Sequence, residues 1–131
     1  MTERDIIRAY YRRVASAGFP HAAEHDDGKD RLKAVSIRGC HGNSTNLLFF
    51  CVEVDNGIIS RIGYDCQYCD VIMYVTAELI CELSVGRAVA DLGAIDDSDL
   101  AAALGGTSKK VLRQTRTSFG LLRDGLLVRS P

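Results

Sequence analysis

Two cysteines separated by two residues, Cys66 and Cys69, carry the clearest chemical signal in this 131-residue sequence. They lie between a predicted β-hairpin and a predicted helix. Two thiols at this spacing can bind one metal ion or exchange a disulfide. Cys69 also comes just before the predicted helix, where unpaired N–H groups and the helix dipole favour a thiolate. A lowered thiol pKa there would make Cys69 a better nucleophile and a better metal ligand.

A third thiol, Cys40, stands beside His41 in a loop bracketed by two glycines. This loop leads into the first long strand of the hairpin, and in a meander the start of that strand and the end of its partner lie at one edge. We therefore expect Cys40 to approach Cys66 and Cys69. A zinc site takes four ligands, and His41 could provide the fourth. Metal or cluster binding, redox or sulfur-transfer chemistry, and purely structural thiols all stay open on these residues alone.

The remaining candidate residues have simpler interpretations. Cys51 lies within a strand rich in aromatic residues and Cys81 within an apolar helix, so both are predicted to be small buried side chains. His21 and His25 fall in a polar segment and are predicted to be solvent-exposed. The segment 105–110, Gly-Gly-Thr-Ser-Lys-Lys, lacks the spacing and the preceding strand of a phosphate-binding loop.

The composition excludes several classes of protein. A net charge of −1 gives no electrostatic indication of nucleic acid or a membrane surface as a partner. No apolar run approaches the roughly 20 residues that span a bilayer, and the first residues lack the layout of a signal peptide. We therefore expect a cytoplasmic protein. An odd count of five cysteines argues against a closed disulfide framework.

The pattern of apolar residues predicts the elements that hold these side chains. Thr2 and Asp5 form an approximate capping box ahead of a helix that ends near Gly18. Strands are predicted at 34–37, 47–54 and 58–64, with Asn56-Gly57 as the hairpin turn. Helices are predicted at 71–83, 85–92, 99–104 and 109–127. The fold class is α+β in two layers, a single domain over 1–131 with an N-terminal helix, a three-stranded antiparallel sheet and a helical C-terminal half.

This arrangement resembles the iron–sulfur cluster scaffold family of IscU and the N-terminal domain of NifU. The similarity extends over approximately residues 6–127. It is most specific in two segments, the stretch 52–69 through the Asp-Asn-Gly turn and the stretch 84–92, Ser-Val-Gly-Arg-Ala-Val-Ala-Asp-Leu. In that family one ligand cysteine lies in a Cys-Gly-Asp loop before a strand. A second lies at the strand-to-helix junction, and a third at the start of a later helix.

The sequence also departs from the family pattern. The junction cysteine corresponds to Cys69, but the loop is longer, carries His41 after Cys40 and has Asn43 where the aspartate belongs. Arg116 stands at the position of the third family cysteine, and Cys66 has no usual counterpart. The resemblance thus implies a site rebuilt as Cys40, Cys66 and Cys69, with His41 or Asn43 as a possible additional ligand.

The resemblance implies a scaffold or carrier without enzymatic turnover, which binds a metal or a [2Fe–2S] cluster through cysteine thiolates. A cysteine desulfurase would supply sulfur and recipient apo-proteins would accept the cluster. Two alternatives stay open. One is a degenerate, zinc-binding regulatory or accessory homologue without cluster assembly. The other is a thiol protein that transfers sulfur between Cys66 and Cys69.

Overall fold

The structure is a computed structural model and describes residues 2–22, 33–38, 47–67 and 71–129. Side chains are described for 2–22, 50–65, 71–120 and 122–126, and the other positions in those ranges by their backbone. The described elements confirm a mixed α+β fold with an N-terminal helix, an antiparallel sheet and a helical second half.

The first helix, α1 (Glu3–Ser16), begins where the sequence predicts it. The Thr2 hydroxyl accepts a hydrogen bond from the Asp5 N–H at 3.2 Å, and the Asp5 carboxylate accepts one from the Thr2 N–H. This reciprocal capping box satisfies N–H groups that the first helical turn leaves without partners. One stripe of α1, including Ile6, Tyr10 and Val14, is buried against the rest of the domain.

The sheet consists of β1 (Lys33–Arg38), β2 (Leu47–Asp55) and β3 (Ile58–Gln67), in the order β1-β2-β3 with antiparallel pairing. The predicted hairpin is confirmed, because Asn56 and Gly57 join β2 to β3 with φ values of 53° and 79°. Positive φ at both turn positions matches the right-handed twist of the strands that flank it. Residues alternate along β2 and β3, with Phe50, Val52, Ile62 and Tyr64 buried on the face that the helices cover.

The helical half comprises α2 (Val71–Ser84), a 3₁₀ helix (Val89–Ala94), α3 (Asp97–Leu104) and α4 (Lys109–Arg129). Helix α2 packs on β3, α1 and α4, while α4 also packs on β1 and on the 3₁₀ helix. The helices thus form a second layer over one face of the sheet. Nearly every side chain of α2 between Met73 and Cys81 is buried, because its neighbours surround it on several sides.

The helix predicted at 85–92 is only partly confirmed, because a 3₁₀ helix begins at Val89 and the segment 85–88 before it is not helical. Gly86 adopts φ 84°, and its N–H donates to the Ile59 carbonyl at 2.8 Å. The Ile59 N–H in turn donates to the Arg87 carbonyl at 2.8 Å, so this segment pairs with the start of β3. Only after that pairing does the chain turn into the 3₁₀ helix at Val89. Long-range hydrogen bonds to the hairpin outweigh the local helical pattern here.

Candidate functional site

The ends of the three strands that flank the predicted ligands meet at one edge of the sheet. Leu47, the first residue of β2, pairs with Arg38, the last residue of β1, and with Gln67, the last residue of β3. Neighbouring strands lie about 4.8 Å apart, so these residues form a short row across the edge. Cys40 follows Arg38 by two positions and Cys69 follows Gln67 by two. The chain therefore leaves the sheet toward both predicted ligands from the same edge.

The predicted ligands themselves are only partly within the described structure. Cys40, His41, Asn43 and Cys69 lie outside the described residues. Cys66 is the next-to-last residue of β3, where its backbone pairs with Leu48. Among the side chains that the structure describes, no group of three His, Cys, Asp or Glu residues is arranged to hold a metal ion.

Helix α2 begins at Val71, two positions after Cys69, and α4 packs beside its first turn. The contact there joins Met73 of α2 to Gln114 of α4, whose side-chain amide lies 2.8 Å from the Met73 sulfur. Both side chains are buried. Gln114 thus marks the part of α4 that approaches the start of α2, and nothing in the sequence pattern singled it out.

Arg116 belongs to α4, and its side chain pairs with the first residue of α3. Its Nε donates to the Asp97 carboxylate at 2.7 Å, and the two side chains are 54% and 61% exposed. An ion pair this exposed contributes about 0–1 kcal/mol. Arg116, which the resemblance predicts to stand at the position of the third family cysteine, therefore contacts α3 through a solvent-exposed guanidinium.

The two described cysteines away from the sheet edge have raised thiol pKa values. Burial raises the pKa of Cys81 well above its usual range, and the buried carboxylate of Glu78 adds to the effect. Cys81 is fully buried, as the apolar pattern predicts. Cys51 is only half-buried, contrary to the prediction, because it alternates along β2 with the buried Phe50 and Val52 and so faces the other side of the sheet. Desolvation, followed by the charge of Asp65, raises its pKa too. Neither thiol is set up to ionise near neutral pH.

A buried carboxylate forms the centre of a second polar region. Glu78 lies in the middle of α2 and is 1% exposed. Its Oε2 accepts a hydrogen bond from the Tyr64 hydroxyl at 2.8 Å and one from the His21 backbone N–H at 3.4 Å. Desolvation raises the pKa of Glu78, and the hydrogen bond from Tyr64 opposes that shift. Desolvation is also the main cause of the raised pKa of Tyr64.

Glu78 lines a cavity of about 170 Å³ together with Tyr10, His21 and Glu82. The Tyr10 hydroxyl donates to Glu82 at 2.9 Å on its wall, and the Arg13 guanidinium lies 4.8 Å from the centre of the Tyr10 ring. Burial, and then the charge of Glu82, raise the pKa of Tyr10. We define Tyr10, His21, Tyr64, Glu78 and Glu82 as the polar cluster. Its hydrogen bonds tie α1, the segment after it, β3 and α2 together, which is a structural role.

The prediction that His21 is solvent-exposed is wrong. His21 is half-buried, and its carbonyl accepts a hydrogen bond from the Tyr64 N–H at 2.9 Å. The signal for the polar cluster was the single carboxylate of Glu78 inside the apolar run 75–81 of α2. A carboxylate in such a run needs hydrogen-bond donors from elsewhere in the chain, and the sequence does not say which residues supply them.

No helix in the described part of the chain is both long enough and apolar enough to cross a membrane.

Comparison with known proteins gives a match in structure but not in sequence. No protein-family model matches the chain. No curated protein matches it either. The fold is similar to the crystal structure of a nitrogen-fixing NifU-like protein (N-terminal) from Brucella abortus, with a TM-score of 0.60 at 10% identity. That similarity covers 98% of this chain and 100% of the other. A hypothetical protein of known crystal structure is also similar, with a TM-score of 0.55 at 15% identity, covering 89% of this chain and 96% of that one. The chain thus has a NifU-like fold.

Proposed function

We propose that this chain is a scaffold or carrier that binds an iron–sulfur cluster, or a metal ion, through the thiolates of Cys40, Cys66 and Cys69. The observation that carries the proposal is the pairing of Leu47 with both Arg38 and Gln67, which brings the two ligand-bearing connections to one sheet edge. The NifU-like fold supports the same assignment.

The chemistry of the donors fits this cargo. Thiolates are soft ligands that select zinc and iron–sulfur clusters over hard cations such as Mg²⁺. Cys69 stands two residues before α2, where N–H groups at the helix start stabilise a nearby negative charge. Cys51 and Cys81, with their raised thiol pKa values, are poor competitors for the metal. The protein would act as a binding module, with a cysteine desulfurase as sulfur donor and apo-proteins as recipients.

A zinc-binding regulatory homologue is the second candidate. Arg116 favours it, because the residue aligned with the third family cysteine is engaged with Asp97 on α3. A cluster site would then depend entirely on Cys66 as the replacement ligand. Zinc could use the same three cysteines, and His41 beside Cys40 could then complete a four-ligand site.

Anaerobic reconstitution with ferrous iron and sulfide separates the two candidates. The cluster proposal predicts visible absorption, with iron and sulfide bound in equal amounts. Cys40→Ser, Cys66→Ser and Cys69→Ser should each lower the bound iron and sulfide strongly. Cys51→Ala is the matched control and should bind as the wild type does. Zinc retained through reconstitution, without a chromophore, would contradict cluster binding.

A further inference from the structure

A groove opens between the starts of α1, α2 and α4, and α2 begins two positions after Cys69 in the sequence. The groove encloses about 430 Å³. Its apolar lining consists of Ile7 of α1 and of Val71 and Ile72 of α2, which we call the apolar floor. Val71 is 42% exposed, although it begins a helix that is otherwise largely buried. We call this surface the α1–α2 groove.

The rim of the α1–α2 groove is positively charged. Arg4 and Arg8 line it from α1 and Lys110 lines it from α4. The one acidic residue in the lining is Glu3, whose carboxylate accepts a hydrogen bond from the Ser108 hydroxyl at 3.1 Å. Within the described part of the chain, none of the three rim cations has a carboxylate within ion-pair distance.

Asp5, a carboxylate on which Arg4 and Arg8 act, takes part in the helix cap. Arg4 and Arg8 both contribute to the lowered pKa of Asp5, but the hydrogen bonds with Thr2 are the larger causes. The Asp5 carboxylate accepts the Thr2 N–H at 3.2 Å. The rim thus has three cations whose charges no carboxylate of the described chain offsets at contact distance. Such a rim attracts anionic partners and increases their rate of association.

We propose that the α1–α2 groove docks an acidic segment of a partner protein, which inserts one large apolar side chain onto Ile7, Val71 and Ile72. The apolar floor would bury that side chain, and the carboxylates around it would approach Arg4, Arg8 and Lys110. A concave floor with a charged rim fits an inserted side chain better than a flat lipid surface. An apolar anchor in a pocket with polar groups around it is the usual form of an energetically important contact.

The groove is close in sequence to one of the proposed thiol ligands. Val71 follows Cys69 by two positions in the sequence, so a segment bound on Val71 would contact the chain only two residues from a proposed ligand. That the docked protein is a sulfur donor or a cluster recipient rests on the proposed function. Docking of an acidic segment does not, because the groove is built from α1, α2 and α4 without any cysteine.

Peptide titration of the metal-free, reduced protein tests the docking alone. The probe is a ten-residue peptide with one central phenylalanine flanked by aspartates. The readout is the methyl NMR signals of Ile7, Val71 and Ile72. One control peptide has alanine in place of the phenylalanine, and another has lysines in place of the aspartates. We expect the first probe to shift these methyl signals and both controls to bind about tenfold more weakly or worse.

Matched variants connect the binding to the rim. Arg8→Gln combined with Lys110→Gln should weaken the acidic peptide about tenfold, at about threefold for each rim contact. Arg61→Gln, on the distant hairpin, should leave the affinity unchanged. The methyl spectrum of each variant shows whether it is folded.

Several results would overturn the docking proposal. The first is that the groove methyl signals do not shift at millimolar acidic peptide. The second is that the lysine peptide binds as tightly as the acidic peptide. The third is that Arg61→Gln loses as much affinity as the double variant of Arg8 and Lys110. A stronger response to phosphatidylserine vesicles than to the peptide would assign the groove to a membrane surface instead. Peptide binding by a protein that fails to bind iron and sulfide would leave the docking intact and reject the cluster proposal.

Discussion

The middle and the N-terminal end of α2 differ in how the polar groups around them are satisfied. In the middle, Glu78 is buried and accepts hydrogen bonds from Tyr64 and His21. At the N-terminal end, Val71 is exposed in the α1–α2 groove, and the rim cations of that groove have no ion pair within the described residues. The two regions are about 10 Å apart along the helix axis.

This difference separates a structural role from a binding role. A buried carboxylate attracts attention as a catalytic candidate, yet Glu78 already has donors on β3 and on the segment after α1. An exposed valine is unremarkable alone. It becomes informative because it lines a groove with three cations and one carboxylate in its lining, and because it follows Cys69 by two positions in the sequence. We therefore expect binding at the α1–α2 groove, whose cations have no ion pair among the described residues. We expect a contribution to stability from Glu78, whose hydrogen bonds are formed within the fold.

The largest effect on stability should come from removing the buried carboxylate. Glu78→Ala leaves the Tyr64 hydroxyl without its acceptor and opens a cavity in α2. We expect the free energy of unfolding to fall by about 2–3 kcal/mol, measured by urea denaturation. Glu78→Gln keeps an acceptor oxygen and should cost about 1 kcal/mol. A loss of less than about 1 kcal/mol in Glu78→Ala would show that the polar cluster does not stabilise the fold.

Removing the Tyr64 hydroxyl, which donates to Glu78, should lower the free energy of unfolding somewhat less than Glu78→Ala does. Tyr64→Phe deletes the hydroxyl and leaves Glu78 with the His21 N–H as its donor among the described contacts. We expect a loss of about 1–2 kcal/mol in the same assay. Combined with Glu78→Ala, the total loss should fall short of the sum by about 1 kcal/mol, because both changes remove one hydrogen bond. Additive losses would mean that the 2.8 Å contact contributes nothing.

The polar cluster should also give stability a particular dependence on pH. Burial raises the pKa of Glu78 in the folded protein above its ordinary value of 4.5. The folded state therefore holds the proton more tightly, and this contribution is fully present below pH 4.5 and is lost as the pH rises through the folded pKa. Urea denaturation at a series of pH values should show a downward slope above pH 4.5 that is weaker in Glu78→Gln. The same slope in both proteins would rule out Glu78 as its source.

The smallest effects on stability are expected at the α1–α2 groove. Val71→Ala, Arg8→Gln and Lys110→Gln change side chains that lie at the surface. We expect each to alter the free energy of unfolding by about 0.5 kcal/mol or less. The same variants should weaken binding of the acidic peptide. A groove variant that loses stability as strongly as Tyr64→Phe would remove the contrast between the N-terminal end and the middle of α2.

Local chemistry determined which elements could be predicted. The capping box of Thr2 and Asp5 and the turn at Asn56-Gly57 depend on residues close in sequence, and both form as predicted. The segment 85–88 and His21 were predicted wrongly because their structure depends on distant partners. Gly86 pairs with Ile59, and the His21 N–H donates to Glu78, which lies 57 positions away. The hairpin pattern was sufficient to predict that the strand ends meet at one edge of the sheet. The α1–α2 groove depends on how three helices pack together, which the pattern of apolar residues does not specify.

Cobalt titration of the reduced protein tests most directly whether Cys40, Cys66 and Cys69 converge on one metal. Thiolate-to-cobalt absorption grows with the number of sulfur ligands. We predict saturation at one Co²⁺ per chain and a partial loss of intensity in each of Cys40→Ser, Cys66→Ser and Cys69→Ser. Cys51→Ala should match the wild type. Unchanged intensity in Cys66→Ser would contradict the central claim, because the added cysteine would then not be a ligand.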